Sequence, residues 1–241
     1  MNNQSAPELT RIAKVIANSG ACSRREAEKF ILLGRVKVDG QLATTPNFKV
    51  STNQVITLDD KPIYAQTEIR IYKFYKPDGT LTTKQDTHNR QTIYDVLPKK
   101  YANLIYIGRL DYNSEGLLLL TNNGEIARKL TLPKNNLERE YKVRAYGFIN
   151  EKRLDELRKG ATIEGITYNK AKISIDKQGR TNHWLTIIIT EGKNREIRKM
   201  LEYADLTVNR LIRVRFGSIF LNDLKIGEIV ELKGKELNGL L

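Results

Sequence analysis

The sequence contains few of the side chains that build metal and redox sites. Its 241 residues include one cysteine, Cys22, and two histidines, His88 and His183. A single thiol cannot form an intramolecular disulfide, which favours a reducing compartment, and so few nitrogen and sulfur ligands argue against a zinc site. No histidine lies near Cys22 in the sequence, so we interpret this thiol as a small packing residue. We therefore expect no metal.

Long apolar segments are also absent. No run approaches the ~20 apolar residues that a membrane-spanning helix needs. The polar opening Met1–Ser5 is not followed by an apolar signal segment. We therefore expect an intracellular, cytoplasmic protein that does not act on a membrane.

Positive charge is abundant instead. The chain has 41 Lys and Arg against 28 Asp and Glu, a formal charge of +13. Basic side chains that neutralise phosphates release counterions, so this balance favours a polyanionic partner such as a nucleic acid. The length suits two domains better than one, and a hydrophobic content of 40% is sufficient for packed cores.

Helix-cap and turn signals in residues 1–66 predict a small domain of its own. The predicted elements are a helix over 11–18 capped by Thr10, a second helix with a capping box of Ser23 and Glu26, a hairpin of 35–38 and 41–43 across Asp39–Gly40, and a strand over 55–58. Apolar periodicity then fades over 64–68, which indicates a linker. We place the domain boundary between residues 66 and 67.

Residues 67–241 show strand and helix patterns without strict alternation. The predicted strands cover 69–74, 104–107, 117–120, 140–145, 172–175 and 184–190, and the predicted helices cover 92–97, 125–130, 151–158 and 194–203. Most strands that are consecutive in the sequence look like hairpin partners. This order predicts an α+β domain on a largely antiparallel mixed sheet with flanking helices.

The segment from Gly108 to Thr121 carries the most distinctive local pattern. Arg109 and Asp111 lie two residues apart and directly precede a segment with four leucines, residues 117–120, which predicts a strand buried on both faces. Charged groups on a loop fixed by a rigid strand are typical of catalytic sites. A surface ion pair of little energetic consequence is the alternative, and the local pattern leaves both open.

Basic residues cluster around the second helix and the hairpin of the first domain. From charge alone they could form a solvated face. However, Ser-Arg-Arg-Glu-Ala-Glu followed by Gly-Arg-Val-Lys-Val-Asp-Gly resembles the RNA-binding module named for ribosomal protein S4, over roughly residues 9–63. The resemblance implies that phosphates of structured RNA are contacted by Ser23, Arg24, Arg25, Arg35 and Lys37. Such contacts position RNA without reading its sequence.

Three motifs of the second domain occur in a compatible order. They are Gly108–Asp111 with its leucine-rich tail, Arg139–Val143 and Glu191–Met200. Together with the preceding module they resemble the ribosomal RNA pseudouridine synthases of the RsuA/RluB type, over nearly the whole chain. The resemblance implies a pseudouridine synthase fold and an enzyme that isomerises a uridine of ribosomal RNA without a cofactor. It is closer to the large-subunit branch, so 23S rRNA or a pre-ribosomal particle is the expected partner, bound by a monomer.

The same resemblance implies roles for individual residues. The catalytic set would be Asp111 as the essential carboxylate, Arg198 as its cationic partner and Tyr141 as the ring on the target base; the substrate-binding set would be Arg109, Arg195 and Leu211. These residue types suit the chemistry, because a partly buried carboxylate needs a cation to remain ionised and a flipped base needs a stacking partner. The resemblance leaves open whether the carboxylate attacks the sugar, adds to the base or removes a ribose proton.

Several of these residues could instead have a purely structural role or simply face solvent. Tyr141 could be a core tyrosine, and Arg195 and Arg198 could form the exposed face of a basic helix. Arg210, Arg213 and Arg215 alternate along a predicted strand, where they would line one face of an RNA groove or simply face solvent.

Two other functions compete with the large-subunit enzyme. One is modification of 16S small-subunit rRNA. The other is a non-catalytic role in rRNA binding or ribosome assembly, which the basic module and net charge alone would support. A metal-dependent nuclease is disfavoured because the sequence shows no evident carboxylate cluster.

Overall fold

The chain forms two compact units in a computed structural model that describes residues 9–51, 53–64 and 68–240. One unit comprises residues 1–69 with 122–124, and the other comprises residues 70–121 with 125–241. The boundary placed between residues 66 and 67 stays a prediction, because residues 65–67 lie outside the described part of the chain.

The first unit combines two helices with short antiparallel strands. Its helices are α1 (Ile12–Asn18) and α2 (Arg24–Leu32), and its strands are β1 (Thr10–Arg11), β2 (Val36–Val38), β3 (Gln41–Leu42), β4 (Lys49–Val50), β5 (Ile56–Leu58) and β6 (Lys61–Ile63). Four strands follow the order β3-β2-β5-β6, and β1 pairs with β4. Buried side chains from both helices and from the strands, including Ile16, Ile31 and Val36, form one core.

The two helix starts of this unit differ from each other. Ser23 caps α2 as predicted, because its Oγ accepts from the Glu26 amide at 3.3 Å while Glu26 Oε2 accepts from the Ser23 amide at 2.8 Å. The prediction that Thr10 caps α1 is wrong. Thr10 and Arg11 pair with strand β4, and Arg11 is the residue that precedes the helix.

The second unit is built on one large sheet. The strands of that sheet are β7 (Ile71–Lys76), β8 (Ile105–Ile107), β9 (Glu115–Thr121), β10 (Arg139–Tyr146), β13 (Lys172–Gln178), β14 (Asn182–Ile189), β15 (Thr207–Phe216), β16 (Ile219–Phe220) and β17 (Ile229–Glu231). Strands β11 (Ala161–Ile163) and β12 (Ile166–Tyr168) form a separate two-stranded sheet. The α-helices in this part of the chain are α3 (Ile93–Val96), α4 (Gly124–Thr131), α5 (Glu151–Lys159), α6 (Glu196–Tyr203) and α7 (Gly234–Asn238).

The large sheet is mixed but mostly antiparallel, which confirms the predicted fold class. Its order is β13-β14-β10-β15-β9-β7-β17, and only the β15–β9 pair is parallel among the described strands. Residues 117–120 of β9 are fully buried, as their run of leucines predicted. Apolar side chains of α5 and α6 pack on the sheet face that carries Tyr141 and Val143.

The parallel β15–β9 contact requires glycine. Gly116 has a φ of 101°, and a Cβ atom there would lie 2.4 Å from the Arg213 carbonyl oxygen. A side chain at this position would push the two strands apart. Gly116 therefore fixes where the segment that carries Asp111 enters the sheet.

The structure contradicts the prediction that Arg210, Arg213 and Arg215 share one face, because Arg210 and Arg213 are three positions apart and a bulge separates Arg213 from Arg215. The pairing with β10 shifts between Glu140 and Tyr141, so that Arg215 lies opposite Glu140 and Arg213 lies opposite Tyr141. Arg213 is only 2% exposed, and its Nε donates to the Leu117 carbonyl at 2.7 Å. A β-bulge inserts one residue and so reverses the face of the side chains beyond it.

Candidate active site

Asp111 lies on the loop between β8 and β9, and the neighbouring backbone is tied to the segment that follows β7. Leu110 is buried, and its carbonyl accepts from Thr82 Oγ1 at 2.8 Å. The Tyr112 carbonyl accepts from the Gly79 amide at 3.0 Å. These contacts flank Asp111 on both sides, so its backbone is fixed independently of any ligand.

A buried lysine, which the sequence analysis did not single out, also holds this loop. Lys76 is the last residue of β7 and is fully buried. Its Nζ donates to the carbonyls of Ser114 at 2.7 Å and Pro77 at 3.0 Å, with Tyr112 at 3.4 Å. Burial lowers the pKa of Lys76 to about 8, although the carboxylates of Asp78 and Asp111 partly offset this effect. Lys76 therefore links the sheet to the residues on either side of the Asp111 loop.

A single pocket collects the residues that the sequence motifs predicted for the site. This cavity of ≈ 330 Å³ is lined by Asp111, Tyr141, Arg198, Arg195, Arg109 and Leu211, among others. The residues come from the Asp111 loop, β10, the start of α6 and β15. The volume falls at the lower end of the range for small-ligand pockets, which suits a single nucleobase.

Tyr141 and Leu211 provide the apolar part of this pocket. They lie on neighbouring strands, since Val143 of β10 pairs with Leu211 of β15. Tyr141 is 8% exposed and Leu211 is 5% exposed, and both belong to the main core. The pocket therefore has an apolar floor with little exposure to solvent.

Arg198 approaches the Asp111 loop without forming a salt bridge to Asp111 among the described contacts. One terminal nitrogen donates to the Val208 carbonyl at 3.0 Å, and the other donates to the Asn113 carbonyl at 2.5 Å. Burial and the neighbouring Arg195 lower the pKa of Arg198, and the charge of Asp111 opposes that shift. Arg198 therefore fixes the loop while placing positive charge near the carboxylate.

The start of α6 has a strained conformation. The helix begins at Glu196, two residues after the predicted Asn194, because Arg195 has a left-handed backbone with a φ of 51°. This region is uncommon for a residue with a side chain. Backbone strain of this kind is found at functional sites, where the surrounding structure holds a residue in one conformation. Here the strained residue, Arg195, lines the pocket.

Glu196 also lines the pocket, and the sequence analysis did not assign it a role. It is 4% exposed, its Oε2 accepts from the Lys193 amide at 2.8 Å, and its Oε1 has no partner among the described residues. Burial, followed by the nearby Glu191 carboxylate, raises the pKa of Glu196 to about 7. Glu196 therefore takes up a proton more readily than an exposed glutamate does.

The predicted RNA-binding residues of the first unit fall into two groups. Arg24 and Arg25 are exposed, and Arg24 Nε lies 3.5 Å from a Glu28 carboxylate oxygen. Arg35 donates two hydrogen bonds to Asp59, and Lys37 donates one to Asp60 at 2.6 Å. Ser23 uses its hydroxyl in the helix cap. Their contacts with phosphate stay predictions.

The pocket has the elements for chemistry on a nucleobase. It combines a carboxylate, an aromatic ring, an apolar surface and several cations that could hold phosphate. In the described part of the chain, no group of three or more His, Cys, Asp or Glu side chains is arranged to hold a metal ion. No helix of the described residues is long and apolar enough to span a membrane.

Comparison with known proteins agrees with this geometry. The sequence profile for RNA pseudouridylate synthase matches residues 70–203, and the profile for the S4 domain matches residues 10–56. A crystal structure of a pseudouridylate synthase superposes with a TM-score of 0.68 and 26% identity, covering 96% of this chain and 99% of the other.

Relatives extend the similarity over most of the chain. An uncharacterised RNA pseudouridine synthase of Rickettsia felis is 44% identical over 229 residues, which are 95% of this chain and 99% of the relative. The ribosomal large subunit pseudouridine synthase B of Haemophilus influenzae is 39% identical over 226 residues, 91% of this chain and 63% of the relative. The corresponding Salmonella typhi protein is 39% identical over 218 residues, 87% of this chain and 74% of the relative. The protein therefore belongs to the RNA pseudouridine synthase family and carries an S4 domain at its N-terminus.

Proposed function

We propose that this protein converts one specific uridine of 23S large-subunit rRNA to pseudouridine, with Asp111 as the essential carboxylate. The observation that carries the proposal is the convergence of Asp111, Tyr141, Arg198 and Leu211 from four separate segments on one base-sized pocket. The two relatives named ribosomal large subunit pseudouridine synthase B support the choice of rRNA.

The reaction is an isomerisation in which atoms and electrons balance within the nucleoside. The bond from C1′ to uracil N1 breaks, the base turns, and C1′ joins C5. The proton of C5 is released, and N1 finally carries a proton. Attack on the sugar, addition to the ring and removal of a ribose proton all need an ionised carboxylate at the position of Asp111.

The surrounding residues would hold the base during this rotation. Tyr141 would stack on the flipped uracil and Leu211 would pack on its other side, which compensates part of the cost of unstacking. Arg198 would place positive charge beside the Asp111 carboxylate, and Arg195 and Arg109 would hold the adjoining backbone. We propose that the protein acts in the cytoplasm as a monomer on rRNA or a pre-ribosomal particle.

Chemical mapping of pseudouridine in rRNA tests this function. Cells that lack the gene are complemented with the wild-type protein, with Asp111→Asn or with Asp78→Asn, an exposed carboxylate near Lys76 and Arg198 that serves as the matched control. We expect one 23S uridine to lose its modification in the deletion and in the Asp111→Asn cells only. A target in 16S rRNA would replace the proposed substrate, and restoration by Asp111→Asn would reject the role of Asp111.

A further inference from the structure

Strand β10 separates two chemically different faces of the large sheet. Tyr141, Val143 and Ala145 point to the core and the pocket, whereas Arg144 and Tyr146 lie on the opposite face and are exposed. The neighbouring strand β14 shows the same alternation. This second face presents side chains that neither the core nor the pocket uses.

A row of cations and one indole crosses four strands on this face. Lys177 of β13 lies opposite Trp184 of β14, Trp184 lies opposite Arg144 of β10, and Arg144 lies opposite Arg210 of β15. We call Lys177, Trp184, Arg144, Arg210 and, in the adjacent row, Tyr146 the outer sheet face.

The charges of this row are not balanced within the protein. Arg210 is paired with Glu115 at 2.6 Å, and the nearby Lys142 is paired with Asp176 at 2.9 Å. Arg144 and Lys177 are exposed and have no hydrogen-bond or ion-pair partner among the described residues. Glu115 neutralises Arg210, so the unpaired positive charge of this row belongs to Arg144 and Lys177, which lie on either side of Trp184.

The aromatic side chains of the outer sheet face add a second kind of contact. Tyr146 lies opposite Asn182, two positions before Trp184, so the two rings are diagonal neighbours on adjacent strands. Tyr146 is 51% exposed and Trp184 is half-buried. Aromatic rings on a sheet surface stack on the unpaired bases of single-stranded RNA, and flanking cations hold the phosphates.

We propose that the outer sheet face is a second RNA-binding site, separate from the pocket, which holds an unpaired RNA segment. Trp184 and Tyr146 stack on bases, and Arg144 and Lys177 bind the phosphates between them. The excess of positive charge favours RNA over an apolar partner. The site does not depend on the reaction at Asp111.

Trp184 reports on this site because it is the only tryptophan in the chain. Its fluorescence is followed while the full-length protein is titrated with an unstructured 12-nucleotide RNA. We expect saturable quenching by the single strand and much less by a duplex of the same length. The Asp111→Asn variant should give the same quenching, which separates this site from the proposed reaction.

Variants then test the phosphate contacts. Arg144→Ala/Lys177→Ala should weaken the binding seen by quenching about tenfold. The slope of log affinity against log salt should fall by about 1.4, because each phosphate contact of a single strand contributes about 0.7. Lys152→Ala/Lys233→Ala removes two other exposed cations of the same unit and should leave the quenching unchanged.

Stacking is tested by fluorescence anisotropy with a labelled RNA. Trp184→Phe should bind within about twofold of wild type, whereas Trp184→Leu should bind about tenfold more weakly. Three results would overturn the proposal: no quenching by single-stranded RNA, quenching that Arg144→Ala/Lys177→Ala leaves intact, or equal quenching by polyglutamate, which would indicate an acidic protein partner.

Discussion

The pocket around Asp111 and the basic surface of the first unit hold their charged groups in different ways. Around the pocket, Lys76 and Arg198 each bind backbone carbonyls of the Asp111 loop; Lys76 is fully buried and Arg198 is half-buried. On the first unit, Arg24 and Arg25 are exposed and weakly restrained. The pocket therefore depends on the exact placement of its cations, whereas the surface of the first unit depends only on their charge. We expect pocket substitutions to change turnover and surface substitutions to change affinity.

Apart from Asp111 itself, the largest effect is expected at Arg198. Arg198→Met removes the donors to the Val208 and Asn113 carbonyls as well as the charge near Asp111. We expect kcat to fall about 100-fold, since a displacement of about 1 Å in a catalytic group can cost that much. Single-turnover rates measure the effect. Arg198→Lys keeps the charge but not the two terminal nitrogen donors, so its rate should lie between those of Arg198→Met and the wild type. Equal rates for Met and wild type would show that the loop does not need Arg198.

Tyr141 tests the apolar side of the pocket. Tyr141→Leu keeps an apolar side chain in the core but removes the ring, and we expect kcat/KM to fall about tenfold because a base–aromatic stack contributes ~1–3 kcal/mol. Tyr141→Phe keeps the ring and should stay within about threefold of wild type. If kcat/KM falls as far in Tyr141→Phe as in Tyr141→Leu, the hydroxyl rather than the ring is the important group. Thermal unfolding of both variants controls for packing.

The basic surface should respond in affinity alone. Arg24→Ala/Arg25→Ala should weaken RNA binding, and the slope of log affinity against log salt should fall by about 1.8 if both contact phosphates of a helix. Arg35→Ala/Lys37→Ala should have a smaller effect, because these cations already pair with Asp59 and Asp60. Filter binding over a salt series measures both, and kcat at saturating RNA should not change. A lower kcat in Arg24→Ala/Arg25→Ala would remove the distinction between the two regions.

The smallest effect is expected in the pH dependence of stability. The pKa of Glu196 is raised to about 7 in the folded protein from 4.5, so folding favours its protonated form. Its contribution to stability is complete below pH 4.5 and is lost as the pH rises through 7. Glu196→Gln is neutral throughout, so its Tm relative to wild type should increase between pH 4.5 and 7 and then level off. Glu202→Gln, an exposed position of α6, should show no such trend.

The parts of the fold that local signals specify were predicted from the sequence. The capping box at Ser23 needs only two residues three apart, and the Asp39–Gly40 turn has positive φ values at both positions, as this dipeptide favours. The four leucines of β9 indicate burial on both faces directly. The family and its fold followed from ordered motifs, and the comparisons confirm both.

Features that depend on tertiary contacts were not predicted. The β15 bulge that puts Arg215 on the face opposite Arg213 arises from the pairing with β10 and has no local sequence signal, whereas the three-residue separation of Arg210 and Arg213 already places them on opposite faces. Lys76 ends a strand like many exposed lysines, and its burial results from the loop that folds over it. The raised pKa of Glu196 results first from its burial in the folded protein and then from the Glu191 carboxylate.

The rate of pseudouridine formation by Asp111→Asn at saturating rRNA tests the central claim most directly. Asn is close to Asp in size, and the Asp111 loop is held by Thr82, Gly79 and Lys76 through backbone atoms, so the variant should fold and bind RNA as wild type does. We expect the single-turnover rate to fall by at least about 1,000-fold with unchanged affinity, as for the loss of an essential nucleophile or base. A rate within about tenfold of wild type would contradict the assignment of Asp111 as the catalytic carboxylate.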